Sequence, residues 1–332
     1  MYKNNKWRII GLSALVAAVL LAFLGSIMFG IVQVPFRAVI DAFLSFDGSR
    51  EHLIIRTVRL PRALMAAVIG GSLAVAGCLM QAISRNALAG PELFGVSSGA
   101  ALAAVAASFW LGSASLHLFA WSALIGATVA GMAVFFLSYR SGQSISSTRL
   151  VLAGATLNLL FASLTQGILI LNEQSLDTMR YWLAGSLTGR DLDLFWQVIP
   201  YMSIGAILAF AVSGQLNIFG LGEEVAQGLG QRIAAIRIAS IIAVVLLAGS
   251  AVALAGPIGF VGLAVPHIAR LLVGGNYRWL VPYSAALGAL LLLGADIGAR
   301  FALPGQEIPV GVVTAFFGAP MLIYLAQRKE KS

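Results

Sequence analysis

Charge is what this 332-residue chain has least of. Only 10% of its residues are Asp, Glu, Lys or Arg, while 59% are hydrophobic. So few charges cannot cover a soluble globule, and with a mean hydropathy of +0.92 the composition is that of a polytopic membrane protein. Lysine occurs only at Lys3, Lys6, Lys329 and Lys331. That excludes a P-loop, which needs a lysine amine beside its glycine-rich cradle to reach the outer phosphates. Histidine is confined to His52, His117 and His267 without HxxxH spacing, and Cys78 is the sole cysteine. No internal disulfide can form, and a bare metal ion has no obvious cage. With His267, Asp296 and Cys78 each solitary, no catalytic set emerges and a membrane enzyme is disfavoured.

What is abundant is apolar sequence, cut into lengths near the ~20 residues that cross a bilayer as a helix. Ten stretches fit: Ile9–Val32, Leu60–Ile83, Glu92–Leu111, Leu116–Tyr139, Thr148–Leu171, Asp193–Val212, Ile233–Ala255, Ile258–Val273, Trp279–Ala299 and Ile308–Ala326. The first follows Lys3, Lys6 and Arg8 as a signal peptide would, but it exceeds the ~7–15 apolar residues of such a peptide. The 36 glycines suit helices packed in lipid, where small residues let backbones approach. The expected fold is an all-α, polytopic transmembrane domain over 1–332, with both termini on one side.

Positive charge should collect on the side of the termini. It does, with one breach: the outer segment Val34–Arg62 carries Arg37, Arg50, Arg56, Arg59 and Arg62. An acidic partner outside is the expected reason; snorkelling to lipid headgroups is the plainer alternative. From Asn172 to Asp191, Tyr181 and Trp182 suit an aromatic belt on an outer surface helix. From Asn217 to Gln231, Glu223 and Glu224 mark a helix start, and Gly228 and Gly230 its stop, giving a short helix and turn on the inner face. Asp296 is the acid within a span, with Arg300 one helical turn on; a salt bridge is favoured over an ion site, because a relay needs more than one such acid. The second span, with Gly71-Ser72 leading to Gly90-Pro91, resembles the seventh, with Gly249-Ser250 leading to Gly256-Pro257. Since these spans run in opposite directions, the halves read as inverted repeats, an architecture of transporters.

Several motifs then combine. Arg59-Leu60-Pro61-Arg62, Arg85-Asn86-Ala87-Leu88-Ala89-Gly90-Pro91 leading into Leu93 to Ala100, Gly256 to Gly262 with Pro266-His267 and Arg270, and Glu307 to Gly311 with Gly318-Ala319-Pro320 run over nearly the whole chain. Together they resemble the permease family of ABC importers for iron-siderophores, haem and cobalamin. The proline usual after the loop asparagine is Ala87 here.

The resemblance implies ten helices per chain, a second permease copy or a related permease, a cytoplasmic ABC ATPase dimer that uses the ATP, and an external substrate-binding protein. It implies no cofactor or metal on this chain and no nucleic acid partner; membrane lipid would surround it. The place implied is the bacterial cytoplasmic membrane, with both termini cytoplasmic. By the same resemblance Arg59, Arg62 and Arg300 dock the binding protein. Asn86, Leu88, Ser147 and Thr148 narrow the pathway at its cytoplasmic end. Gly222, Glu223, Glu224, Gly228 and Gly230 contact the ATPase. The cargo expected is a ferric siderophore, with cobalamin or haem as the alternative within the family. An ion-coupled secondary transporter, working alone, is the alternative outside it.

Overall fold

A computed structural model describes residues 5–30, 34–112, 115–138, 147–172, 179–302 and 307–329. These residues form α1 (Asn5–Met28), α2 (Phe36–Leu44) and α3 (Arg50–Ile54), which continues through a π-helical turn (Ile55–Arg59) into α4 (Leu60–Ser84). A 3-10 turn (Pro91–Phe94) precedes α5 (Val96–Leu111), α6 (Leu116–Ser138) and α7 (Ser147–Leu171). Then follow α8 (Leu192–Phe219), α9 (Glu223–Gly228), α10 (Ile233–Ala255), α11 (Val261–Val273), α12 (Tyr277–Phe301) and α13 (Val310–Lys329).

Among the described residues, seven helical stretches are long and apolar enough to cross a membrane, and three shorter apolar ones lie in α5, α11 and the first part of α13. Together the ten coincide with the ten apolar stretches read from the sequence. The short eighth span has a local cause: Gly256 leaves the helix at φ 75, and α11 starts only at Val261, after Phe260 at φ 69. α8 runs to Phe219, past the expected end at Val212. Two polar residues of the added stretch have partners: Ser213 Oγ donates within the helix to the Phe210 carbonyl at 2.7 Å, and Asn217 Oδ1 accepts from the Tyr277 amide of α12 at 2.8 Å.

α4 and α10 form the centre, with 83% and 78% of the residues in their most apolar stretches buried. These are the two helices that resemble one another in sequence, at Gly71-Ser72 and Gly249-Ser250. Each leads into a shorter helix whose first cap is left-handed, Gly95 (φ 63) before α5 and Phe260 (φ 69) before α11. Lipid supplies no hydrophobic drive between helices, so backbone proximity must do the packing. A Cβ on Gly70 would fall on the Gly288 carbonyl of α12, and one on Gly77 on the Gly262 carbonyl of α11.

The polar contacts divide the bundle into two ends. At the basal end, Arg8 of α1 donates to the Val273 carbonyl, Tyr283 to the Arg8 carbonyl, and Asn217 meets Asn276. At the apical end, the last turn of α1 meets Arg59 and Arg300.

Candidate functional site at the two ends of the bundle

The apical end is organised around one acid. Asp296, 0% exposed, accepts from Arg62 Nε at 2.7 Å on one carboxylate oxygen and from Arg300 Nη2 on the other. Arg300 lies one turn along the same helix, so the i, i+4 salt bridge expected from sequence is present. Arg62 arrives from α4 and carries the network onward, donating from Nη1 to Glu307 Oε2 at 2.7 Å, where Thr188 Oγ1 also donates at 2.7 Å. Burial pushes the Glu307 carboxyl up, but hydrogen bonds from Arg62 and Thr188 and the nearby arginine charges outweigh it and hold the group below the ordinary glutamate value.

Arg300 also donates to the Ser26 carbonyl at 2.7 Å and to Ser26 Oγ at 3.0 Å, while Arg59 Nη1 donates to the Ile27 and Met28 carbonyls at 2.7 and 2.9 Å. These are the last carbonyls of α1, which have no partner within their own helix. Arg59, Arg62 and Arg300 are each only 6% exposed. The three arginines singled out for docking therefore also have an internal task, tying α1, α4 and α12 together. Of the other arginines in the segment Val34–Arg62, Arg56 donates to the Ala42 carbonyl at 2.7 Å and lies over the Phe46 ring, while Arg37 and Arg50 are exposed.

The segment after α7 departs from expectation. Tyr181 is exposed, as an aromatic belt requires, but Trp182 is buried. The chain that follows is pinned into the bundle by Ser186 N donating to the Ala255 carbonyl at 2.8 Å and Gly311 N to the Gly185 carbonyl at 3.0 Å, which draws Trp182 inward. Residues 173–178 of that segment lie outside the described residues, as do Lys3 and Lys331 near the termini.

At the basal end α9 forms as expected, a single helical stretch flanked by Gly222 at φ 121 and Gly230 at φ 77, backbone conformations that side-chain-bearing residues rarely adopt. Glu223 is partly buried and Glu224 exposed, while Gly228 has open space where a Cβ would project. Three apolar side chains spaced by four, Leu221, Val225 and Leu229, are 66%, 49% and 63% exposed. Sequence reasoning passed over them, although their helical spacing was legible. Close by, Asn86 folds the link after α4 into a tight turn, its Oδ1 accepting from the Leu88 amide at 3.0 Å. Ser147 and Thr148 open α7, with Thr148 exposed.

α7 itself is the least embedded of the seven long apolar helices after α1, with 17% of the residues in its most apolar stretch buried. Thr156, Ser163 and Gln166 are exposed along it beside Leu159, Leu160 and Leu164. Polar side chains at mid-span avoid lipid and turn to protein or a water-filled path.

A bundle of long apolar helices around two buried central ones, with polar contacts gathered at its ends, is the architecture of a multi-pass membrane protein. The FecCD transport family model matches residues 16–328, and the chain belongs to that family. The chain is 44% identical over 328 residues to a Bacillus subtilis (strain 168) protein described as a probable siderophore transport system permease, covering 99% of this chain and 98% of that one. It is 39% identical over 324 residues to the ferric enterobactin transport system permease of Escherichia coli (strain K12), covering 98% and 97%. Among solved structures, a chain of a metal-chelate type ABC transporter in an inward-facing conformation superposes with a TM-score of 0.84 at 29% identity, over 96% of this chain and 98% of that one.

Proposed function

We propose that this chain is the membrane-spanning subunit of an ATP-driven importer for ferric siderophores. The observation that carries the reading is full-length similarity to permeases whose descriptions name siderophores and ferric enterobactin. The chain contributes no ATP site and no cofactor; a pair of ATPase subunits hydrolyses ATP at the basal end, which is cytoplasmic together with both termini. The exposed Leu221, Val225 and Leu229 support this, because three large apolar side chains around a polar helix start suit a cleft on another protein. Gly222, Glu223, Glu224, Gly228 and Gly230 form the contact, and Asn86, Leu88, Ser147 and Thr148 narrow the path above it.

A second copy, or a related permease, packs against the exposed polar and leucine surface of α7, so that the path lies between subunits. An external binding protein delivers the chelate to the apical end. There Arg59, Arg62 and Arg300 form the platform from within, and the exposed Arg37 and Arg50 meet its carboxylates first.

The deciding experiment is complementation. In cells lacking their own siderophore permeases, this chain expressed with its ATPase and binding protein should restore uptake of radioiron supplied as a ferric siderophore. Uptake of the same chelate by the chain without any ATPase would replace the proposal with secondary transport.

A further inference from the structure

The bases of α4, α8, α9 and α10 meet in a knot of four side chains. Phe219, the last residue of α8, is 1% exposed. Arg85, just past the end of α4, and Arg237 of α10 both lie against its ring, with Cζ 4.9 and 5.6 Å from the centroid. Glu223, the first residue of α9, accepts from Arg237 Nη2 at 2.9 Å and stands 3.9 Å from Arg85 Nη2, which also donates to the Phe219 carbonyl at 3.4 Å.

The two arginines are not equivalent. Arg237 is 2% exposed and held at short range, so it fixes Glu223 to α10. Arg85 has 41% of its side chain exposed and sits at the outer limit of both its polar contacts. Its backbone is left-handed at φ 51, one of two non-glycine residues with positive φ among those described. The next peptide enters the turn closed by Asn86, whose amide reaches Ser84 Oγ at 3.4 Å and whose Oδ1 holds the Leu88 amide. The hinge of that turn and the loose arm on Glu223 are thus one residue.

We infer that Arg85 is a positioning residue that passes displacement of α9 to the turn at Asn86–Leu88, with Glu223 as the shared acid and Arg237 as its fixed anchor. This rests on α9 being the ATPase contact and on the turn narrowing the path. A half-exposed pair at long range contributes little to stability, so it can tighten or release without disturbing the fold. A pair of discrete arrangements is what a rigid element needs to move a neighbour.

The test uses the assembled importer in proteoliposomes, with a radioiron-labelled ferric siderophore and its binding protein. Arg85→Gln should leave the ATPase subunits bound while transport per ATP hydrolysed falls about tenfold, within the usual range of coupling between sites. In a Cys78→Ala, Leu88→Cys background, crosslinking between the two permeases should follow the nucleotide state with Arg85 present and ignore it in Arg85→Gln. Arg85→Lys, which keeps the charge but loses the planar fork, should restore part of both readouts and carries the test if the glutamine variant does not accumulate. Unchanged transport per ATP together with nucleotide-responsive crosslinking would overturn the inference. Failure of the underlying reading shows separately: if Gly228→Trp retains the ATPase and transports normally, α9 is not the contact, whatever Arg85 does.

Discussion

Asp296 shows how one buried side chain can organise an end of a membrane bundle. Both its oxygens are engaged by arginines, one from α4 and one from its own helix, and Arg300 continues to the last carbonyls of α1. Removing one member of a buried pair leaves charge uncompensated, at a cost of about 3–5 kcal/mol. Asp296→Asn should therefore lower the melting temperature of the purified permease sharply; a melting curve like that of the parent would show that the network is ornamental. Glu307 sits at the edge of the same network with its carboxyl held below the ordinary value, so it is ionised and stabilising at neutral pH. A group with a depressed folded-state pKa loses its contribution as pH falls from the ordinary glutamate value through the lowered one. The stability gap between the parent and Glu307→Gln should thus be widest at neutral pH and close on acidification, measured as paired melting curves across that range.

Among the elements, glycine separates places where nothing fits from places kept open. Gly77 on α4 faces the Gly262 carbonyl so closely that any side chain must push α4 and α11 apart. Gly77→Val should cost at least ~3 kcal/mol, the upper end of ordinary overpacking, and sharply reduce the yield of folded permease. Gly228 on α9 has open space around it. Gly228→Trp should fold with an unchanged melting curve, and should abolish transport and stimulated ATP hydrolysis if α9 is seated in an ATPase cleft. The helix was legible from two glutamates and two glycines, because start and stop signals act locally. The turn at Asn86 was legible only as a loop, since its closure depends on how one side chain folds back.

For the whole molecule, the apical charge must be divided between inside and outside. Arg37 and Arg50 are exposed, whereas Arg59 and Arg62 hold helices together. Reversal of Arg37 and Arg50 to Glu should slow association of the binding protein and weaken its salt dependence while leaving the melting curve intact, as rim charges act mainly on encounter. Reversal of Arg62 would instead set a third carboxylate beside Asp296 and Glu307 and should prevent folding. Kinetic traces on immobilised permease at two salt concentrations separate the cases; an unchanged association rate for the Arg37 and Arg50 variant would remove these residues from docking.

Spans, their number and the special character of the apical segment were written in the sequence, because bilayer thickness and the cost of burying charge act residue by residue along the chain. So was the pairing of Asp296 with Arg300, four residues apart on one helix. Which way the other apical arginines faced was not. Arg62 is 234 residues from Asp296 and Arg59 is 32 from the carbonyl of Ile27, and only the packing of α1, α4 and α12 brings them together. The same holds for Trp182, placed at the surface by its residue type and drawn inside by backbone bonds to Ala255 and Gly311 across the chain. Hydropathy determines whether a segment enters the membrane; the neighbour a charged or aromatic side chain meets there is decided by helices distant in sequence, and so by the tertiary structure alone.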